Sequence, residues 1–184
     1  LSVLRVLSLE RVRALLERLQ LVNGGLGDDY FLDFIYQLVV ANLIQRDPNN
    51  KSLRIMETTL RHLFVRLLEL DDRAGLLRAH EQLAEFFKAK IQQSHELFTM
   101  YLPELIYHRL AIYQLSSASA PATFVAQLMQ DIRQMQTAPS SGEWCAAIAN
   151  LYADQTIREM AHAELWIAMI TQFQRKCTED APRI

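Results

Sequence analysis

Five glycines and five prolines are the only strong helix breakers in this chain of 184 residues, and all but Gly75 and Pro103 fall at or near a place where a helix would end. Between these breaks, apolar residues recur every three to four positions. That period belongs to one face of an α-helix, whereas a half-buried strand alternates with period two. A chain punctuated in this way can bury its apolar stripes only by packing helix on helix. The pattern therefore predicts an all-α fold: an antiparallel helical bundle of about seven helices.

The first helix is expected over residues 8–22. Ser8 serves as N-cap, Leu9, Val12, Leu16 and Leu19 share one face, and Asn23-Gly24-Gly25 provides the stop, because glycine takes the left-handed C-cap conformation at little cost. The second is expected over residues 29–45. Phe31, Leu32, Phe34, Ile35, Tyr36, Leu38, Val39, Val40, Leu43 and Ile44 make it apolar almost all round, so it should be central in a bundle or covered by a partner. Asp47-Pro48-Asn49-Asn50 reads as a turn. A third helix over 52–70 carries Leu53, Met56, Leu60, Leu63, Leu67 and Leu70 in alternating steps of three and four, a coiled-coil-like seam. Asp71 and Asp72 cap the next helix, with Gly75 in its first turn. The stretch 94–115 continues helical, with a kink or break expected near Tyr101 because Pro103 removes a backbone donor. Pro121 opens a helix to Gln136, and two more are expected over 143–152 and 154–176. The small polar segment 116–120 divides the chain into an N-terminal lobe, 1–115, and a C-terminal lobe, 116–184, packed as one domain.

Apolar residues make up 51% of the chain, enough for a sizeable core. Nineteen basic against 21 acidic residues give a formal charge of −2, so no global attraction to nucleic acid or an anionic membrane is expected. The longest apolar run, 38–44, is too short to span a bilayer. Two cysteines, Cys145 and Cys177, do not make a disulfide framework and fit a cytoplasmic setting. Cys145, following Trp144, reads as a buried structural thiol.

Asp33 and Gln37 are four apart and share one face of an otherwise apolar helix. They either line a ligand cavity between helices or face water. His80 lies among Leu76, Leu77, Leu83 and Ala84, and His108 in line with Tyr101, Leu105, Ile112 and Leu115. Each is a candidate ligand-binding group or a hydrogen-bonded core histidine. The Glu159-Met-Ala-His162 spacing occurs in di-iron bundles, but those sites need a second such motif, and the chain has none. No nucleophile stands in a complete catalytic constellation. Neither a catalytic residue, a metal site nor a cofactor is expected, and the chain does not read as an enzyme.

The stretch SLERVRALLERLQLVNGGLGDDYFLDFIYQLVVANLIQRDPNNKSLRIMETTLRHLF, residues 8–64, resembles the middle of the FCD effector domain of GntR-family transcription regulators. There, a helix and an acidic loop precede a helix with Asp-x-x-x-His, a turn and a long amphipathic helix. LPELIYHRLAIYQLSSASAPATFVAQLMQDIRQMQ, residues 102–136, is similar to the opening of the same domain. The two matches stand in jumbled order, which would imply a duplicated or incomplete domain. Where the family's aspartate and histidine bind metal, this chain has Asp33 and Gln37, and at a second match Asp154 and Arg158. The resemblance therefore implies a metal-free sensor of the fatty-acyl type. Its DNA-binding module would lie outside this span, in keeping with a chain that starts at Leu1.

Two functions follow as expectations. The first is a ligand-sensing and dimerising domain of a bacterial transcription regulator, taking a small apolar or acidic ligand. The second is a helical scaffold for protein–protein interaction without a small-molecule site. Either implies a homodimer or a helical protein partner, with no direct nucleic-acid contact from this span and no membrane. A closed cavity with buried polar residues would favour sensing, and an open groove with exposed apolar residues would favour scaffolding.

Overall fold

The computed structural model describes residues 3–22, 26–46, 54–56, 58–116, 120–133 and 139–179. The fold is all-α, a helical bundle. The described residues contain eight α-helices, against about seven expected, and one two-residue antiparallel ladder. The chain divides into two compact units, Leu1–Gln82 and Leu83–Ile184.

In the first unit Val3, Leu4 and Leu7 are buried ahead of α1 (Leu9–Arg18). Ser8 caps α1 as expected, its Oγ accepting the Arg11 N–H at 3.3 Å. The helix stops earlier than the sequence pattern suggests. Gln20 takes a positive φ of 57°, and the N–H groups of Gln20 and Leu21 reach back to the carbonyls of Glu17 and Leu16. That pair of bonds is a Schellman closure made without glycine. The expected stop at Asn23-Gly24-Gly25 lies outside the described residues. The same closure ends α2 (Asp28–Val40): Asn42 has φ 55°, and Asn42 and Leu43 donate to Val39 and Leu38. Arg13 ties the two helices together. Its guanidinium meets Asp28 at 2.7 Å and the Leu26 carbonyl at 2.9 Å, and it lies 4.8 Å from the Phe31 ring centroid.

Where the second helix was expected to end and the third to begin, Gln45–Arg46 (β1) instead pairs antiparallel with Arg54–Ile55 (β2), Gln45 opposite Ile55. The turn expected at 47–50 lies outside the described residues. Then come α3 (Thr58–Asp71) and α4 (Arg73–Gln93). Asp72 caps α4 by accepting the Gly75 N–H at 2.8 Å. A Cβ at Gly75 would collide with that carboxylate, which accounts for a glycine inside a helix. The point of division at Gln82/Leu83 falls within α4.

The second unit holds the rest of α4, a 3-10 turn at His95–Leu97, then α5 (Phe98–Leu115), α6 (Pro121–Arg133), α7 (Ser141–Ala153) and α8 (Gln155–Glu179). Its core is α5, where every residue from Tyr101 to His108 is buried. Of the two settings expected for a helix apolar all round, the central one belongs to α5, whereas α2 buries only Phe31. The helix boundary expected near Tyr101 falls upstream, at the 3-10 turn, and α5 runs on through Pro103. The carbonyl that Pro103 leaves without its i+4 donor belongs to Thr99, and Asn150 of α7 donates to it at 3.1 Å. A reciprocal Ser140–Glu143 capping box starts α7, and Asp154 caps α8 by accepting the Ile157 N–H at 3.1 Å. Inside α8, His162 leaves helical geometry (φ 51°, ψ 165°). Gln114 of α5 donates to the Met160 carbonyl beside that break at 2.9 Å. The segment 116–120, where the sequence pattern divides the chain into lobes, joins α5 to α6 within this unit, and residues 117–119 lie outside the described residues.

Candidate functional site

Three of the four candidate ligand-binding residues belong to the first unit and one to the second. Asp33 and Gln37 are exposed on α2. His80 on α4 is 1% exposed, and Arg61 on α3 is 5% exposed. Burial first, and the nearby Arg61 charge second, push the His80 imidazole down from 6.5 to about 4, so it is neutral at physiological pH. His108 on α5 is fully buried in the second unit, its ring stacked on Phe87 at a centroid distance of 5.5 Å and 12° between planes. In surroundings so apolar and aromatic, it packs as a core ring.

The feature that stands apart is the outward face of the first unit. On α2, Leu32, Tyr36, Val39 and Val40 are all exposed, Tyr36 at 61% and Val40 at 58%. Their spacing of i, i+4, i+7 and i+8 puts them in one stripe, at about 100° of rotation per residue. Asp33 and Gln37 border that stripe, where they can serve as a polar rim. On α3 the arrangement is inverted relative to an ordinary surface helix. Arg61 points inward while Leu63, Leu67 and Leu70 are 54%, 50% and 72% exposed. These leucines belong to the three-four seam read from the sequence, and Leu60, where the seam enters α3, is half-buried. Leu53, the first seam residue, lies outside the described residues, and Met56 is buried. Leu38 of α2 and Leu43 just after it, with Met56, Phe64, Leu67, Leu68 and Asp71, line an open, mainly apolar groove of about 600 Å³. Two seam residues, Met56 and Leu67, are therefore among its walls. Apolar side chains arranged at helical spacing beside a groove provide knobs and holes for another helix. Sequence periodicity found the seam but could not tell that its outer half would face solvent.

A second cavity in the first unit, of about 430 Å³, has Leu15, Leu16, Leu19 and Leu76 among its walls, together with the polar groups of Arg18 and Arg78.

Other chemistry-bearing groups have structural settings. In the second unit Asp131 meets Lys88 at 2.8 Å and Arg109 at 2.7 Å, and Arg109 meets Glu85 at 2.8 Å, an ionic brace across α4, α5 and α6. Cys145 is exposed, which corrects the expected buried thiol. Trp144, Ala147, Ile148 and Leu151 take the inward face of α7, and Cys145 stands one residue off that line. Burial, and then a hydrogen bond with the Cys145 thiol, push the Cys177 thiol up from 9.0 to about 11, so it stays protonated at neutral pH. Among the described residues no three His, Cys, Asp or Glu side chains group to hold a metal ion, and no helix is long and apolar enough to cross a membrane.

Fold and surface together define an all-α protein whose first unit presents an apolar helical face to solvent. Compared with known protein families, curated proteins and solved structures, the chain matches none.

Proposed function

We propose that this chain is a helical protein-interaction module, acting through the α2–α3 face of its first unit. The observation that carries this reading is the inversion on α3, with an arginine inside and three leucines of a helical seam outside. Exposed leucines at coiled-coil spacing lower the free energy only when another surface covers them. The neighbouring groove and the stripe on α2 enlarge the area such a surface would bury, and Asp33 and Gln37 then sit at the polar rim. A cytoplasmic setting, expected from the low cysteine count, belongs to the same reading.

The test is site-specific photo-crosslinking in the native host, with the reactive group placed at Tyr36, at Leu63 and, as control, at the exposed Gln130 of α6. Discrete covalent adducts at the first two positions and none at Gln130 are the expected result. Adducts at none of the three would remove the basis for the reading.

A second reading, the ligand-sensing domain of a transcription regulator, is supported by the 430 Å³ cavity of the first unit, which combines leucine walls with two arginines, Arg18 and Arg78, against one carboxylate, Asp72. An acidic ligand with an apolar tail is the chemistry that such a lining accepts. Native mass spectrometry reads this directly, since a small bound mass released on denaturation is the expected sign.

A further inference from the structure

We infer that the partner of the α3 seam is a second copy of this chain, docked in parallel about a two-fold axis so that Leu60, Leu63, Leu67 and Leu70 of the two copies interdigitate. The inference rests on the interaction reading above and names its occupant.

Steps of three, four and three assign Leu60 and Leu67 to heptad position a, and Leu63 and Leu70 to position d. Arg61 and Val65 then fall at b and f, on the far side of the helix from the seam. Arg61 is buried and Val65 half-buried, so that side is the one by which α3 packs onto its own unit. Leu63, Leu67 and Leu70 are thus directed outward, with Leu60 half-buried at their head. All four seam positions within α3 are leucine, and no polar side chain stands at an a or d position between Leu60 and Leu70.

The flanking charges choose the partner and its direction. Position g between the two turns is Arg66, and the following e position is Asp71. Both are exposed. In a parallel pair, a g residue faces the e residue five positions later on the other helix. Arg66 of each copy therefore stands opposite Asp71 of the other, twice over by symmetry. In an antiparallel pair, g faces g, which sets Arg66 against Arg66. Within one chain the exposed Arg66 engages the half-buried Glu69 one turn away; Glu69 also meets Arg73 at 3.6 Å, so it keeps a partner when Arg66 turns to another. A two-fold parallel arrangement is thus the one in which this surface complements itself in both shape and charge. Any other partner helix would have to supply an acidic residue where Asp71 already stands.

The test is sedimentation equilibrium of the 184-residue chain, alone and with its seam altered. The expected result is a species of twice the 21.2 kDa chain mass at tens of micromolar. Leu63→Glu/Leu67→Glu should raise the dissociation constant by roughly 100-fold or more while the helical circular dichroism is kept, since both leucines are already half-exposed in the monomer. Arg66→Glu should weaken the dimer, and Arg66→Glu/Asp71→Arg should restore it, because only the parallel register brings these two positions together. A dimer indifferent to the leucine changes overturns the inference, as does a double charge swap that fails to rescue. A monomer whose Tyr36 and Leu63 still crosslink to a different protein also overturns it while leaving the interaction reading standing. A monomer with no such adducts overturns both.

Discussion

At the scale of single residues, His80 and Gln20 each carry a cost that can be measured. His80 is buried and held near pKa 4, against 6.5 for an ordinary imidazole. The unfolded chain therefore binds a proton between these values that the folded chain refuses, and stability falls as pH drops from about 6.5 towards 4 and levels off below. The loss is on the order of 3 kcal/mol if the full shift is realised. Urea unfolding from pH 7 to pH 4 should show this slope, and His80→Gln should flatten that part of it. An unchanged slope in the variant would assign the acid sensitivity elsewhere. Gln20 holds φ 57° at the C-terminal closure of α1. Glycine takes that conformation freely, so Gln20→Gly should stabilise the protein by about 0.5–1 kcal/mol in the same assay. A loss of stability would mean that the glutamine side chain makes a compensating contact.

At the scale of elements, helices were legible wherever capping chemistry and periodicity agreed. Ser8 and Asp72 cap their helices as read, and α6 opens at Pro121. Boundaries failed where tertiary bonds decide them. The β1–β2 ladder falls where helix ends are expected and goes unread, because a strand of two residues leaves no period to detect. Which apolar helix becomes central was equally hidden. α2 and α5 both look apolar all round, and only the number of helices packed against each separates them. Ionic braces are hidden for the same reason, since Asp131 and its partners Lys88 and Arg109 come from three helices. Asp131→Ala removes the carboxylate that the largely buried Lys88 and Arg109 share, leaving Arg109 with Glu85, and should cost about 2 kcal/mol, read as a lower denaturation midpoint. Lys88→Met/Asp131→Leu should recover part of that loss. A double variant as unstable as the single one would mean that packing, and not charge, is at stake.

At the scale of the whole molecule, the all-α class was legible because so few breakers interrupt so many apolar stripes. The candidate site was legible only in part. The seam was visible as a pattern, but its direction depends on α3 burying Arg61, which no local rule anticipates. Asp33 and Gln37 were noticed for being polar in an apolar helix, and their significance now lies in the exposed stripe beside them. If two copies share the seam, the thermal midpoint should rise with protein concentration, and that rise should vanish in Leu63→Glu/Leu67→Glu. A midpoint independent of concentration in the unaltered chain would speak for a monomer. One further bond has a consequence on the scale of descent. Asn150 fills a vacancy that only Pro103 creates, by donating to the Thr99 carbonyl. The two positions are therefore expected to change together among relatives of this chain: with the proline exchanged, the new backbone N–H would compete for the same carbonyl, and with the asparagine exchanged, that carbonyl would be left to water.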